Sequence, residues 1–96
     1  MKFTALEIAF FRTYLTQTGE KDINGNPVSR TFPDGEIFER AVVINKKIME
    51  CVDGDKFVDS ELELSSDEKK LLLSIFPKEW GVNDAEFKTN IEGKLK

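Results

Sequence analysis

Ser65-Ser66-Asp67-Glu68-Lys69-Lys70-Leu71-Leu72-Leu73-Ser74-Ile75-Phe76-Pro77 carries both ends of a helix within one short stretch. Ser65 can accept from the third helical backbone N–H while Glu68 reaches back to the Ser65 N–H, the reciprocal arrangement of a capping box. Asp67 and Glu68 suit the positive end of the helix dipole. Leu71, Leu72, Leu73, Ile75 and Phe76 supply apolar surface, and Pro77, which has no N–H to donate, ends the element.

The same signature stands near the start of the chain. Thr4-Ala5-Leu6-Glu7 predicts another capping box, with Phe3 and Ile8 at the two staple positions. From Leu6 to Thr18 the apolar residues Leu6, Ile8, Ala9, Phe10, Phe11, Tyr14 and Leu15 wrap about half of a helix, and Gly19 is placed for a left-handed stop. That face is wider than one small core usually needs. Residues 20–35 read as a polar loop built on Asn24-Gly25 and Asn26-Pro27, or as a loose hairpin using Val28 to Phe32.

A further helix is predicted from Gly35 to Cys51 with Asp34 as its cap and Ile37, Phe38, Ala41, Val42, Ile48, Met49 and Val52 on one side. Ala41 to Ile44 can also be read as strand. Asp53-Gly54-Asp55 breaks the element, and partial alternation from Phe57 to Leu64 predicts a short strand or extended arm. After Trp80-Gly81, Asn83 can cap a last helix carrying Phe87, Ile91 and Leu95, with Val82 and Phe87 as its staple. The fold class is therefore mainly α: one domain over residues 1–96, with about four helices and one short strand or hairpin, and α+β as the alternative.

Composition narrows the function classes. Forty per cent of the residues are apolar and eight are Phe, enough for a core and against intrinsic disorder. Cys51 is the single cysteine and there is no histidine, which excludes an internal disulfide, the commonest catalytic triads and the usual structural zinc sites. No apolar run approaches the ~20 residues of a membrane span or the pattern of a secretory signal. The expectation is a reducing, cytoplasmic setting.

Candidate chemistries fail on their own requirements. In the calcium loop that starts at Asp22, the sixth position, where glycine allows a sharp turn, is Pro27; in the one starting at Asp53, it is Val58, and Leu64 occupies the position of the bidentate glutamate. A thiol flanked by Glu50 and Asp53 lacks the basic neighbour that activates a nucleophile, so Cys51 reads as core. Gly25, Gly35 and Gly54 stand alone in turns and form no phosphate cradle. The last two helices are joined by a connection too long for a helix-turn-helix, and the second opens with Asp84 and Glu86, which would face phosphates. The chain reads as a non-enzyme with no cofactor, no metal and no direct nucleic-acid contact.

Charge is the least ordinary feature. Glu50, Asp53, Asp55, Asp59, Glu61, Glu63, Asp67 and Glu68 face one base, Lys56, so segment 50–68 carries −7, while the remainder, with ten acids and thirteen bases, carries +3. Lys21-Asp22-Ile23-Asn24-Gly25-Asn26-Pro27-Val28 and the helix start Glu61-Leu62-Glu63-Leu64-Ser65-Ser66-Asp67-Glu68-Lys69-Lys70 resemble small accessory proteins carried by tailed phages of Gram-positive bacteria. The resemblance covers residues 20–28 and 61–76, transfers no functional residue, and implies a host cytoplasm and a role in modulating a host protein or assisting virion assembly. The leading expectation is a protein-binding module, a phage-encoded inhibitor whose Asp53, Asp55, Asp59, Glu61 and Glu63 dock on the basic, nucleic-acid-binding surface of a host or defence protein, with Trp80 as a core lid or an aromatic anchor. The alternative is an assembly component, oligomerising through the apolar first helix.

Overall fold

A computed structural model describes residues 1–96. Four helices, α1 (Ala5–Thr16), α2 (Gly35–Met49), α3 (Ser66–Ile75) and α4 (Ala85–Leu95), are connected through six short strands. These are β1 (Lys2–Phe3), β2 (Gln17–Lys21), β3 (Pro27–Ser29), β4 (Val52–Asp53), β5 (Lys56–Phe57) and β6 (Ser60–Glu61). They form three separate antiparallel pairs, β1 with β6, β2 with β3 and β4 with β5. The protein is mainly α, and Ala41 to Ile44 lie in the middle of α2. No helix is long and apolar enough to cross a membrane.

Every helix contributes to one core. Ile8, Phe11 and Leu15 of α1 meet Ala41, Ile44 and Ile48 of α2, Leu71, Leu72 and Ile75 of α3, and Ile91 and Leu95 of α4. Phe3, Cys51 and Leu62 close it from the connecting segments. Each large side chain removed from water in this way contributes about 1.5–3 kcal/mol. Helix α1 packs on α2 and α3, and α3 packs on α2 and α4.

Both capping boxes form. Thr4 Oγ1 accepts from the Glu7 N–H at 3.1 Å, and the Thr4 N–H donates to Glu7 Oε1 at 2.9 Å. Ser65 Oγ accepts from the Glu68 N–H at 3.2 Å, and the Ser65 N–H donates to Glu68 Oε1 at 2.8 Å. Glu7 and Glu68 are also the two buried charged residues of the chain. A buried carboxylate is costly without a partner, and each has a lysine from another helix: Lys94 Nζ lies 2.6 Å from Glu7 Oε1, and Lys47 Nζ lies 2.8 Å from Glu68 Oε1. The caps therefore also tie α1 to α4 and α3 to α2.

Helix α1 ends at Thr16, not Thr18, and without a glycine stop. Gln17 is already extended and begins β2, while Arg30 takes over the free carbonyls. Its Nε donates to Tyr14 O at 2.6 Å and its Nη2 donates to Ile75 O at 3.2 Å, so one guanidinium serves the C-terminal ends of α1 and α3 and opposes both dipoles. Gly19 sits within β2 at φ +87°, where the ladder shifts register. A Cβ there would lie 3.1 Å from the Tyr14 ring, so glycine serves both the backbone and the close approach.

The expected loop over residues 20–35 thus begins as a hairpin arm, and its strands are 17–21 and 27–29 rather than Val28 to Phe32. Asp22 turns the chain by accepting from the N–H groups of Asn24 and Asn26 at 2.8 and 3.0 Å. In α2, Asp34 caps as expected, accepting from Glu36 and Ile37 N–H, but Ile37, Phe38 and Met49 are exposed, and Ile44 takes their place in the core. The stripe facing α1 and α3 is narrower than the apolar content of the helix. Helix α4 starts at Ala85 after a 3-10 turn, with no side-chain cap from Asn83, and Val82 is 93% exposed, so no staple forms with Phe87. The 3-10 turn displaces both residues from the positions that a directly capped helix would give them.

Candidate functional site

The acidic segment is folded onto the rest of the chain at three points. β6 pairs with β1, placing Glu61 opposite Lys2 and Ser60 opposite Phe3. Asp59 Oδ1 accepts from the Ala5 N–H at 2.7 Å, which satisfies one free donor at the start of α1. Lys47 Nζ donates to Glu63 O at 2.8 Å as well as to the Glu68 carboxylate. Extended-arm behaviour is confined to short pieces, β5 and β6, because these anchors bend the chain between them.

The eight acids consequently differ in availability. Asp59 and Glu68 serve helix starts. Burial works to raise the Glu68 pKa, but the Lys47 ammonium and the Ser65 N–H outweigh it and hold the carboxyl below its ordinary range. Glu61 Oε2 lies 3.0 Å from the Met1 amino group, Glu63 Oε1 lies 3.9 Å from it, and Asp67 Oδ2 lies 3.9 Å from Arg40. These three are exposed, so the pairs are screened and leave most of each charge facing solvent. Glu50, Asp53 and Asp55 have no ion-pair partner.

Two features organise the outward acids. Glu50, Glu61 and Glu63 line one polar cleft of about 350 Å³ together with Cys51 and Lys47. The Lys47 charge is already engaged by Glu68, so the cleft keeps an excess of negative charge. Beside it, β4 and β5 form a tight hairpin with Asp53 and Asp55 on either side of Gly54, whose φ of +70° allows the turn. Lys56 stands opposite Asp53 and offsets part of its charge. Exposed Met49 and Val58 flank the hairpin, with the Val58 N–H donating to Cys51 O at 3.0 Å. Glu50 belongs to this surface through the cleft, beyond the contact set expected from the sequence; its place in the −7 segment is the signal that points to it. Cys51 is buried, as the core reading expected, but it lies in the connecting segment, because α2 ends at Met49 and not at Cys51.

Trp80 belongs to a different surface. It stacks on Phe10 with ring centroids 5.4 Å apart and planes inclined by 24°, and meets Phe76 edge-on at 6.3 Å. Phe10 also packs against Tyr14 and Phe87. Together Leu6, Phe10, Tyr14, Pro77, Trp80 and Phe87 line a groove of about 580 Å³ between α1 and the segment joining α3 to α4. Trp80 covers Phe10 and Phe76, which pack on the core, and walls the groove at the same time. No residue of the acidic segment lines it.

Glu92 is the other carboxyl whose titration departs from the ordinary, lowered by its hydrogen bond from Lys88. Carboxylates held down in this way remain anionic acceptors. No group of three or more Asp, Glu or Cys side chains is gathered as for a metal ion, so the outward acids present themselves as separate charges.

Comparison with known proteins gives no match: no protein-family model fits the chain, and no curated protein or solved structure is significantly similar to it.

Proposed function

We propose that the chain is a non-catalytic protein-binding module whose acidic face docks on a basic surface of a partner. The observation that carries this reading is the division among the acids: the hairpin tip (Asp53, Asp55) and the cleft (Glu50, Glu61, Glu63) face outward on a short, braced segment, with Met49 and Val58 beside them. Carboxylates on a backbone held by strand pairing present negative charge with less ordering entropy to lose on binding than those on an unpaired arm. They also steer association with a positive patch, most strongly at low salt. A nucleic-acid-binding surface has the complementary charge, so a phage-encoded inhibitor of a host or defence enzyme, acting in the host cytoplasm, fits this chemistry. Asp59 leaves the contact set, because its carboxylate serves α1.

The assembly alternative rests on the apolar face of α1. Ile8, Phe11 and Leu15 are buried in the chain's own core, and Phe10 and Tyr14 are half-covered by their aromatic neighbours. Leu6, at 68% exposure, is the one large apolar residue of that helix left fully outward. This favours the docking reading.

The test is capture of partners with the natural chain and with a Glu50→Gln/Asp53→Asn/Asp55→Asn/Glu63→Gln variant in parallel. The natural chain should retain a basic protein, release it as salt rises, and compete with nucleic acid for it. Equal capture by the variant, with the same salt dependence, would overturn the reading.

A further inference from the structure

The aromatic groove has a charge pattern of its own. Both charged side chains that line it, Glu79 and Asp84, are acids, and they stand at a wall made of Phe10, Tyr14, Trp80 and Phe87. Aromatic faces attract cations, and a nearby carboxylate adds directional acceptors. The chain supplies an internal precedent: Lys88, hydrogen-bonded to Glu92 at 2.6 Å, sets its ammonium 5.9 Å from the Trp80 ring centroid. A volume of about 580 Å³ suits one long side chain with its flanking backbone.

We propose that this groove seats an arginine side chain of a partner polypeptide, with its aliphatic stem along Phe10 and Leu6 and its guanidinium against Trp80, Glu79 and Asp84. Arginine fits better than lysine because the planar guanidinium stacks on an aromatic ring and still donates sideways to carboxylates. The assignment is independent of the acidic hairpin, since the two surfaces share no lining residue.

Trp80 is the sole tryptophan, so its fluorescence reports on this groove alone. The probes are acetyl-Leu-Arg-Leu-amide, the lysine analogue and the citrulline analogue, which keeps the shape and loses the charge. The arginine peptide should bind about tenfold more tightly than the citrulline peptide, with lysine between them. Glu79→Gln/Asp84→Asn should weaken that preference, leaving the part due to the Trp80 ring, while the melting temperature stays in place because both residues are exposed. Lys88→Gln removes the competing cation and should strengthen arginine binding. Asp53→Asn/Asp55→Asn should leave the titration unchanged, so failure here and failure of the docking surface are separable. Equal affinity for the arginine and citrulline peptides overturns the proposal, as does no response up to about 10 mM peptide. A Trp80 signal that follows protein concentration alone would assign the groove to a second copy of the chain and overturn it as well.

Discussion

Asp53 and Asp59 stand in the same acidic stretch and have the same functional group, yet one faces solvent at a hairpin tip and the other caps a helix from a distant part of the chain. Glu63 and Glu68 repeat the contrast: the first is exposed at the rim of a cleft, and the second is buried between Ser65 and Lys47. A count of charges therefore overstates how much negative charge faces solvent. An acid that reaches free backbone donors or a lysine of another helix becomes part of the fold, and the remainder stay exposed to solvent.

The sharpest way to break this division is Glu68→Ala. It removes one half of a capping box and leaves the Lys47 ammonium without its buried partner, and should cost about 3 kcal/mol, measured as a shift in the urea midpoint. A loss under about 0.5 kcal/mol would place Glu68 with the surface acids. The pH dependence follows from the same contacts. Unfolded, Glu68 titrates near its ordinary 4.5; folded, it titrates lower. The folded state thus binds this proton less readily, so the stability from Glu68 is complete above the unfolded value and is lost as pH falls through the folded one. Urea midpoints followed from about pH 6 to about pH 3 should fall less steeply in Glu68→Gln than in the natural chain.

Trp80→Ala comes next. Loss of the stack on Phe10 and of the edge contact with Phe76 should lower stability by about 2 kcal/mol, less than for a fully buried aromatic, since the ring is half-exposed in the groove. An unchanged melting temperature would show that these ring contacts do not hold the fold. Asp59→Ala should cost about 1 kcal/mol through the lost acceptor for the Ala5 N–H, a value within reach of chemical denaturation. The smallest effect belongs to Asp53→Asn/Asp55→Asn, which should leave stability within about 0.5 kcal/mol while lowering the association rate with a basic partner, an effect that fades as salt is added. If Asp59 and Asp53 gave equal stability losses, the division between structural and outward acids would collapse.

The helices were largely legible because their signals are local. Thr4 with Glu7, Ser65 with Glu68 and Asp34 before Gly35 each act within one turn, and Pro77 blocks continuation wherever it falls; all three caps and the end of α3 are where those residues put them. The same logic failed for Asn83, where a 3-10 turn competes with a side-chain cap at equal range. The three small sheets were mostly hidden. A two-residue strand such as β1 has no periodicity of its own and exists because β6 arrives beside it. Arg30 carried no signal either, since serving the ends of both α1 and α3 depends on how those helices are packed.

By itself the sequence determined the four helices, most of the core residues and the location of the charge, because caps, apolar spacing and composition are properties of neighbouring residues. Tertiary structure alone decided which acids remain free, which carboxylates meet Lys47 and Lys94, and that Trp80 stands in a groove apart from the acidic face. Those outcomes turn on contacts between segments far apart in the chain. Burial and pairing, which fix whether a charge is structural or available, arise only when such segments come together.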